Sequence, residues 1–76
     1  MMTTKFIIEK TSNYPNETLI HYYAGLADNG VSIFDSRKNK AKRYTAKEEA
    51  LRDMSIHRAM HCDIYSFKLI PIRCRV

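Results

Sequence analysis

Seventy-six residues carry 13 basic and 8 acidic side chains, a net charge of +5. That length is one domain with a small core, expected to span 1–76. The sign of the charge excludes a DNA mimic, which would be acidic, and favours contact with nucleic acid or with an acidic protein surface. The N-terminus, MMTTKFIIEKTSN, has only the short apolar run Phe6-Ile7-Ile8, too brief for a secretory signal, and no stretch is long enough to span a membrane. Two cysteines, Cys62 and Cys74, are too few for a disulfide framework and are expected as free thiols. The chain is therefore expected in the cytoplasm, without a membrane partner.

KFIIEK (Lys5 to Lys10) is β-branched and aromatic and predicts a strand. TSNYPNE reads as a loop. TLIHYYAG (Thr18 to Gly25) predicts a second strand, and Asn29-Gly30 a hairpin turn near Asp28 to Gly30. VSIFDS (Val31 to Ser36) is the returning strand. The stretch SRKNKAKRYTAKEEA then begins with five cations in eight residues. Thr45 with Glu48 three residues on predicts a capping box, and a helix to about Met60. At about 100° per residue, Ala46, Ala50, Met54, His57 and His61 share one face, flanked by Leu51 and Met60.

IYSFKLIPIRCRV (Ile64 to Val76) predicts a last strand whose apolar parity flips near Ile70-Pro71. Phe67 and Leu69 point one way, whereas Ile72 and Cys74 fall on the other parity. A bulge there would restore one apolar face, and the proline marks an edge or a break. The order β-β-β-α-β predicts an α+β fold: an antiparallel sheet of about four strands with one helix on one face.

Several side chains invite chemistry. His57 and His61 stand i, i+4 apart, with Cys62, His21 or Cys74 able to complete a metal set. No Glu follows the first His and no Cys-x-x-Cys knuckle exists, so no metal and no cofactor is expected. Cys62 and His61 are adjacent and point apart on a helix, and both glycines lie at the hairpin rather than in a phosphate loop. An enzyme is not expected. Tyr22 and Tyr23 must face opposite sides of the sheet, one into the core and one onto the face the helix leaves bare. An exposed aromatic there could stack a base or anchor a protein contact. Arg37, Lys38, Lys40, Lys42 and Arg43 read as a phosphate-binding element, as a steering surface for an acidic partner, or as a solvated loop. Arg58, Arg73 and Arg75 could extend the patch.

The pattern YYAGLADNGVSIF…KAKRYTAKEEAL, with Ala41, Lys42, Tyr44, Thr45, Glu48 and Ala50, resembles one that recurs in small phage and prophage proteins. There a hairpin leads into a capped helix and a closing strand. Several anti-CRISPR proteins are similar in size and architecture. The resemblance implies a non-enzymatic inhibitor that binds a host protein or ribonucleoprotein, such as a CRISPR effector, and blocks it sterically. It implies no particular binding residue. The alternative is a small basic module acting directly on DNA or RNA. Monomer and homodimer both stay open.

Overall fold

The computed structural model describes residues 2–14, 17–60 and 65–75. In chain order it contains β1 (Met2–Tyr14), β2 (Glu17–Leu26), β3 (Ser32–Asp35), a 3₁₀ turn (Lys38–Lys40), α1 (Lys47–Met60) and β4 (Tyr65–Arg75). The strands form one antiparallel sheet in the order β3-β2-β1-β4, and α1 packs on one face of it. The α+β architecture is the one expected.

β1 is longer than KFIIEK. Thr11 pairs with Ile20 on one side and Ser66 on the other, and Ser12 with Leu19 and Tyr65. Polar side chains that read as a loop are thus held as strand, because ladders on both sides override local propensity. The β1–β2 ladder continues to Tyr14↔Glu17; Pro15 and Asn16 lie outside the described residues. The second hairpin turns where expected. Ala27 N–H donates to Val31 O and Gly30 N–H to Ala27 O, each at 2.9 Å, and Gly30 has φ +83°. This is a three-residue Asp28-Asn29-Gly30 loop closed by a left-handed glycine.

The bulge lies elsewhere than expected. β1 and β4 keep one unbroken register from Met2↔Arg75 to Ser12↔Tyr65, so Ile70-Pro71 carries no extra residue. The bulge is on β2 instead: Tyr23 faces Phe34 and Gly25 faces Ile33, which leaves Ala24 unopposed. Gly25 there adopts φ +107°. The apolar parity of β4 therefore really does switch faces. Phe67 and Leu69 join the helix-side core, whereas Ile70 and Ile72 stand opposite Ile7 and Lys5 on the face away from α1. Ile7 is fully buried there, outside the helix-side cluster.

Pro71 sits on the edge strand without harming the ladder. Phe6, its cross-strand partner, directs both its N–H and its C=O to the other side, toward Tyr44. The Phe6–Pro71 pair is thus a non-bonded one, and the proline nitrogen faces the open edge. Phe67 lies on the same alternation, and its outward carbonyl accepts Arg58 Nη2 at 3.2 Å. Two positions of the long edge are blocked in this way.

The core is one cluster of Ile8, Tyr23, Tyr44, Ala50, Met54 and Phe67. Ala50, Met54 and His57 supply the inner face of α1 as expected; His61 lies outside the described residues. His57 is itself 5% exposed, with its ring centroid 4.5 Å from Tyr23, 5.5 Å from Phe34 and 6.0 Å from Phe67. Beside this cluster Lys10 Nζ lies 4.0 Å from the Phe34 centroid and 4.4 Å from that of Tyr65. The ammonium closes the aromatic cluster by cation–π attraction.

α1 begins later than the capping box implies. Ala46 C=O accepts the Ala50 N–H, and among the described residues neither Thr45 nor Glu48 makes a side-chain hydrogen bond. Tyr44 is tied to Phe6, so Thr45 and Ala46 are needed to turn the chain into the helix. Glu48 and Glu49 still occupy the first turn, where the helix dipole favours them.

The bulge yields a test. No atom lies within 4 Å of where a Cβ on Gly25 would stand. Gly25→Ala should nevertheless cost about 1–2 kcal/mol in urea unfolding, wholly from backbone strain at positive φ. A neutral result would show that the bulge relaxes.

Candidate functional site

The basic segment is built into the sheet. β2 leaves β1 after the Tyr22↔Glu9 pair, and the chain returns to fill the gap. Lys42 N–H donates to Tyr23 O at 2.8 Å. Phe6 and Tyr44 exchange both backbone bonds, at 2.9 and 2.8 Å. Ala41 and Tyr44 are buried by this insertion. At the other end Arg37 folds back on Asp35: its backbone N–H, Nε and Nη2 all donate to that carboxylate, at 2.8, 3.1 and 3.1 Å. These contacts hold Asp35 down at about 2 from its ordinary 3.8.

Of the five cations, Arg37 is therefore neutralised locally. Lys42 reaches over the Tyr44 ring, Nζ 4.9 Å from its centroid. Lys38, Lys40 and Arg43 are exposed and form no ion pair among the described residues. Tyr23 is the core member of its pair, 4% exposed, and Tyr22 is half-buried on the opposite face. Arg73 and Arg75 are exposed on β4, across the full width of β1 from Tyr44. The structure brings Tyr23 and Lys42 together and leaves Tyr22, Arg73 and Arg75 apart from them.

Beside Lys42 lies a groove of about 340 Å³ between the β2–β3 hairpin and α1. Leu26, Gly30 and Ser32 form one wall, and Asp53, Ile56 and Met60 the other. Three large, exposed apolar residues line it: Leu26 is 64% exposed, Ile56 53% and Met60 67%. Of the other large apolar residues described, only Val31 in the hairpin, 59% exposed, exceeds Ile56. A second hollow of about 270 Å³, lined by Tyr44, Glu49 and Arg52, shares Lys42 and Asp53 with the first. The two hollows differ in character, one apolar and one ionic, and the Lys42–Asp53 boundary divides them.

Sequence reasoning missed the helix wall. Asp53, Ile56 and Met60 recur at i, i+3, i+7 beside the core stripe, and that spacing was the available signal. Asp53 is held in place by Tyr44, whose hydroxyl donates to Asp53 Oδ2. Burial, then the Asp53 hydrogen bond and charge, raise the Tyr44 phenol far above its ordinary 10.0. Burial and the Asp53 charge raise Tyr23 as well.

The expected metal candidates do not converge. His57 and His21 lie on the helix side, whereas Cys74, a free thiol, follows the parity of Ile70 and Ile72 on the other face. His61 and Cys62 lie outside the described residues. Among those described, no group of three or more His, Cys, Asp or Glu side chains could hold a metal ion. No described helix is long and apolar enough to cross a membrane. Comparison with family models, curated proteins and solved structures finds no match to this chain.

Two consequences can be measured. Tyr44 keeps its proton more tightly folded than unfolded, so its contribution is complete below pH 10 and is lost as pH rises beyond it. Tyr44→Phe should cost about 1–2 kcal/mol at neutral pH and soften the loss of stability above pH 10, read by denaturant unfolding across alkaline pH. Asp35 behaves in the opposite sense. Its contribution is present above 3.8 and disappears as pH falls toward about 2. Asp35→Asn should flatten the stability curve across that acid window; an unchanged slope would mean the pair does not couple to folding.

Proposed function

We propose that this chain is a non-enzymatic inhibitor of the phage type, similar in kind to the anti-CRISPR proteins, acting in the cytoplasm of a bacterial host. It occupies a surface on a host protein or ribonucleoprotein, such as a CRISPR effector, and blocks binding of nucleic acid or of a subunit. The observation that carries this reading is the groove. Three large, strongly exposed apolar side chains, Leu26, Ile56 and Met60, line one hollow, and the cations Lys42, Lys38 and Lys40 belong to the segment beside it. Clustered exposed apolar residues with a charged rim are the anatomy of a protein-binding surface. A partner segment with an apolar anchor and acidic flanks fits it, the anchor supplying affinity and the cations steering the encounter.

Direct binding to DNA or RNA is the competing reading, and one experiment separates the two. Binding is measured to random duplex and single-stranded nucleic acid at low and high salt, and to purified CRISPR effector complexes. The inhibitor reading expects retention of an effector that weakens at least tenfold with Met60→Glu, and little affinity for free nucleic acid. Tight nucleic-acid binding that collapses with salt, falls with Lys38→Ala/Lys40→Ala and ignores Met60→Glu would establish the alternative.

A further inference from the structure

β4 is an outer strand of the sheet, and from Leu69 to Arg75 no described strand pairs with its far side. The direction of its backbone groups follows from Phe6. That residue turns its N–H and C=O to Tyr44, so its cross-strand partner Pro71 turns its own backbone outward. By alternation Leu69, Arg73 and Arg75 do the same. Leu69 and Arg73 each present a donor and an acceptor to the open side, and Pro71 an acceptor alone. None of these groups is hydrogen-bonded among the described residues. The opposite edge strand, β3, offers only four residues. The side chains sort by face. Arg73 and Arg75 are exposed and share the parity of Leu69, whereas Ile70 and Ile72 take the other parity. Leu69 to Arg75 and their β1 partners Met2 to Ile8 hold three cations, Lys5, Arg73 and Arg75, and no carboxylate. None of the three forms an ion pair among the described residues.

We propose that this half of β4 is an acceptor edge for an extended acidic segment of another protein, which adds antiparallel as a further strand. Cross-strand neighbours share a face. A segment alternating acidic and apolar residues therefore sets carboxylates beside Arg73 and Arg75, and apolar side chains beside Ile70 and Ile72. Backbone bonds supply the affinity and the alternation supplies the specificity.

Charge and backbone chemistry select this occupant. A second copy would bring the same cations against their own kind, together with the donor that Pro71 lacks. Nucleic-acid phosphates would meet the arginines, but they only accept hydrogen bonds and leave the outward carbonyls of Leu69, Pro71 and Arg73 unmatched. An acidic strand satisfies both. None of these edge residues lines the groove beside α1, so the proposal stands apart from the inhibitor reading.

The probe is an end-blocked peptide of alternating Glu and Val, titrated into the isotope-labelled full chain and followed by amide chemical shifts. The amides of Leu69, Arg73 and Arg75 should move, with a Kd of about 100 μM or tighter. Those of Ile56 and Met60, at the groove, should stay in place. In the antiparallel pairing the glutamates turn their N–H groups to β4, so N-methylation of the glutamates should abolish binding and N-methylation of the valines should spare it. Arg73→Glu/Arg75→Glu should weaken the peptide by about tenfold or more and let a Lys–Val peptide bind instead. Pro71→Val supplies the missing donor and should tighten binding roughly fivefold. Far-UV circular dichroism checks that each variant folds, and the N-methylated peptides test the unaltered chain in any case. Absence of shifts at millimolar peptide overturns the proposal. So does binding that survives N-methylation of the glutamates, or a Lys–Val peptide that binds the unaltered chain equally well. Random duplex DNA that moves the same amides at lower concentration than the peptide overturns it in favour of nucleic acid.

Discussion

The reciprocal backbone pairing of Phe6 with Tyr44 is the constraint on which the rest depends. β2 leaves β1 after Tyr22, and the gap would otherwise leave Phe6 with an unpaired donor and acceptor inside the structure, a penalty of several kcal/mol. Tyr44 fills it and in doing so carries its ring into the core and its hydroxyl to Asp53. The helix starts three residues later, so the same pairing sets where α1 lies over the sheet. The groove follows from that placement, because its two walls are the diverging hairpin and the helix.

Much of the fold was legible because periodicity and turn chemistry are local signals. Asn29-Gly30 marked its hairpin, and Ala50, Met54 and His57 marked the helix face. The failures share a cause: each depended on a neighbour distant in sequence. Thr11 and Ser12 are strand only because β2 and β4 flank them. The parity switch at Pro71 looked like a slip needing a bulge, yet it records two apolar surfaces on opposite sides of one regular strand. Gly25, read simply as the end of the second strand at the hairpin, is the true signal of irregularity.

The basic stretch shows the same division. From sequence alone its charge had no structural account. Arg37 is satisfied by a carboxylate two residues away, and Lys42 contributes its backbone to the sheet and its side chain to an aromatic face. What is left over is smaller and more localised than five cations: Lys38, Lys40 and Arg43. The apolar half of the site is not legible in advance, since Met60 reads only as a flanking helix residue and Ile56 carries no signal of its own until the hairpin stands opposite them.

That segment is also fastened at both ends, by Asp35 before it and by Tyr23 and Phe6 after it. The turn Lys38–Lys40 spans a closed loop whose backbone is already ordered in the unbound molecule. A partner that meets those two ammonium groups has no loop left to freeze. The entropy that a mobile basic tail would surrender on association, of order 1–2 kcal/mol for each residue fixed, has been met by folding instead.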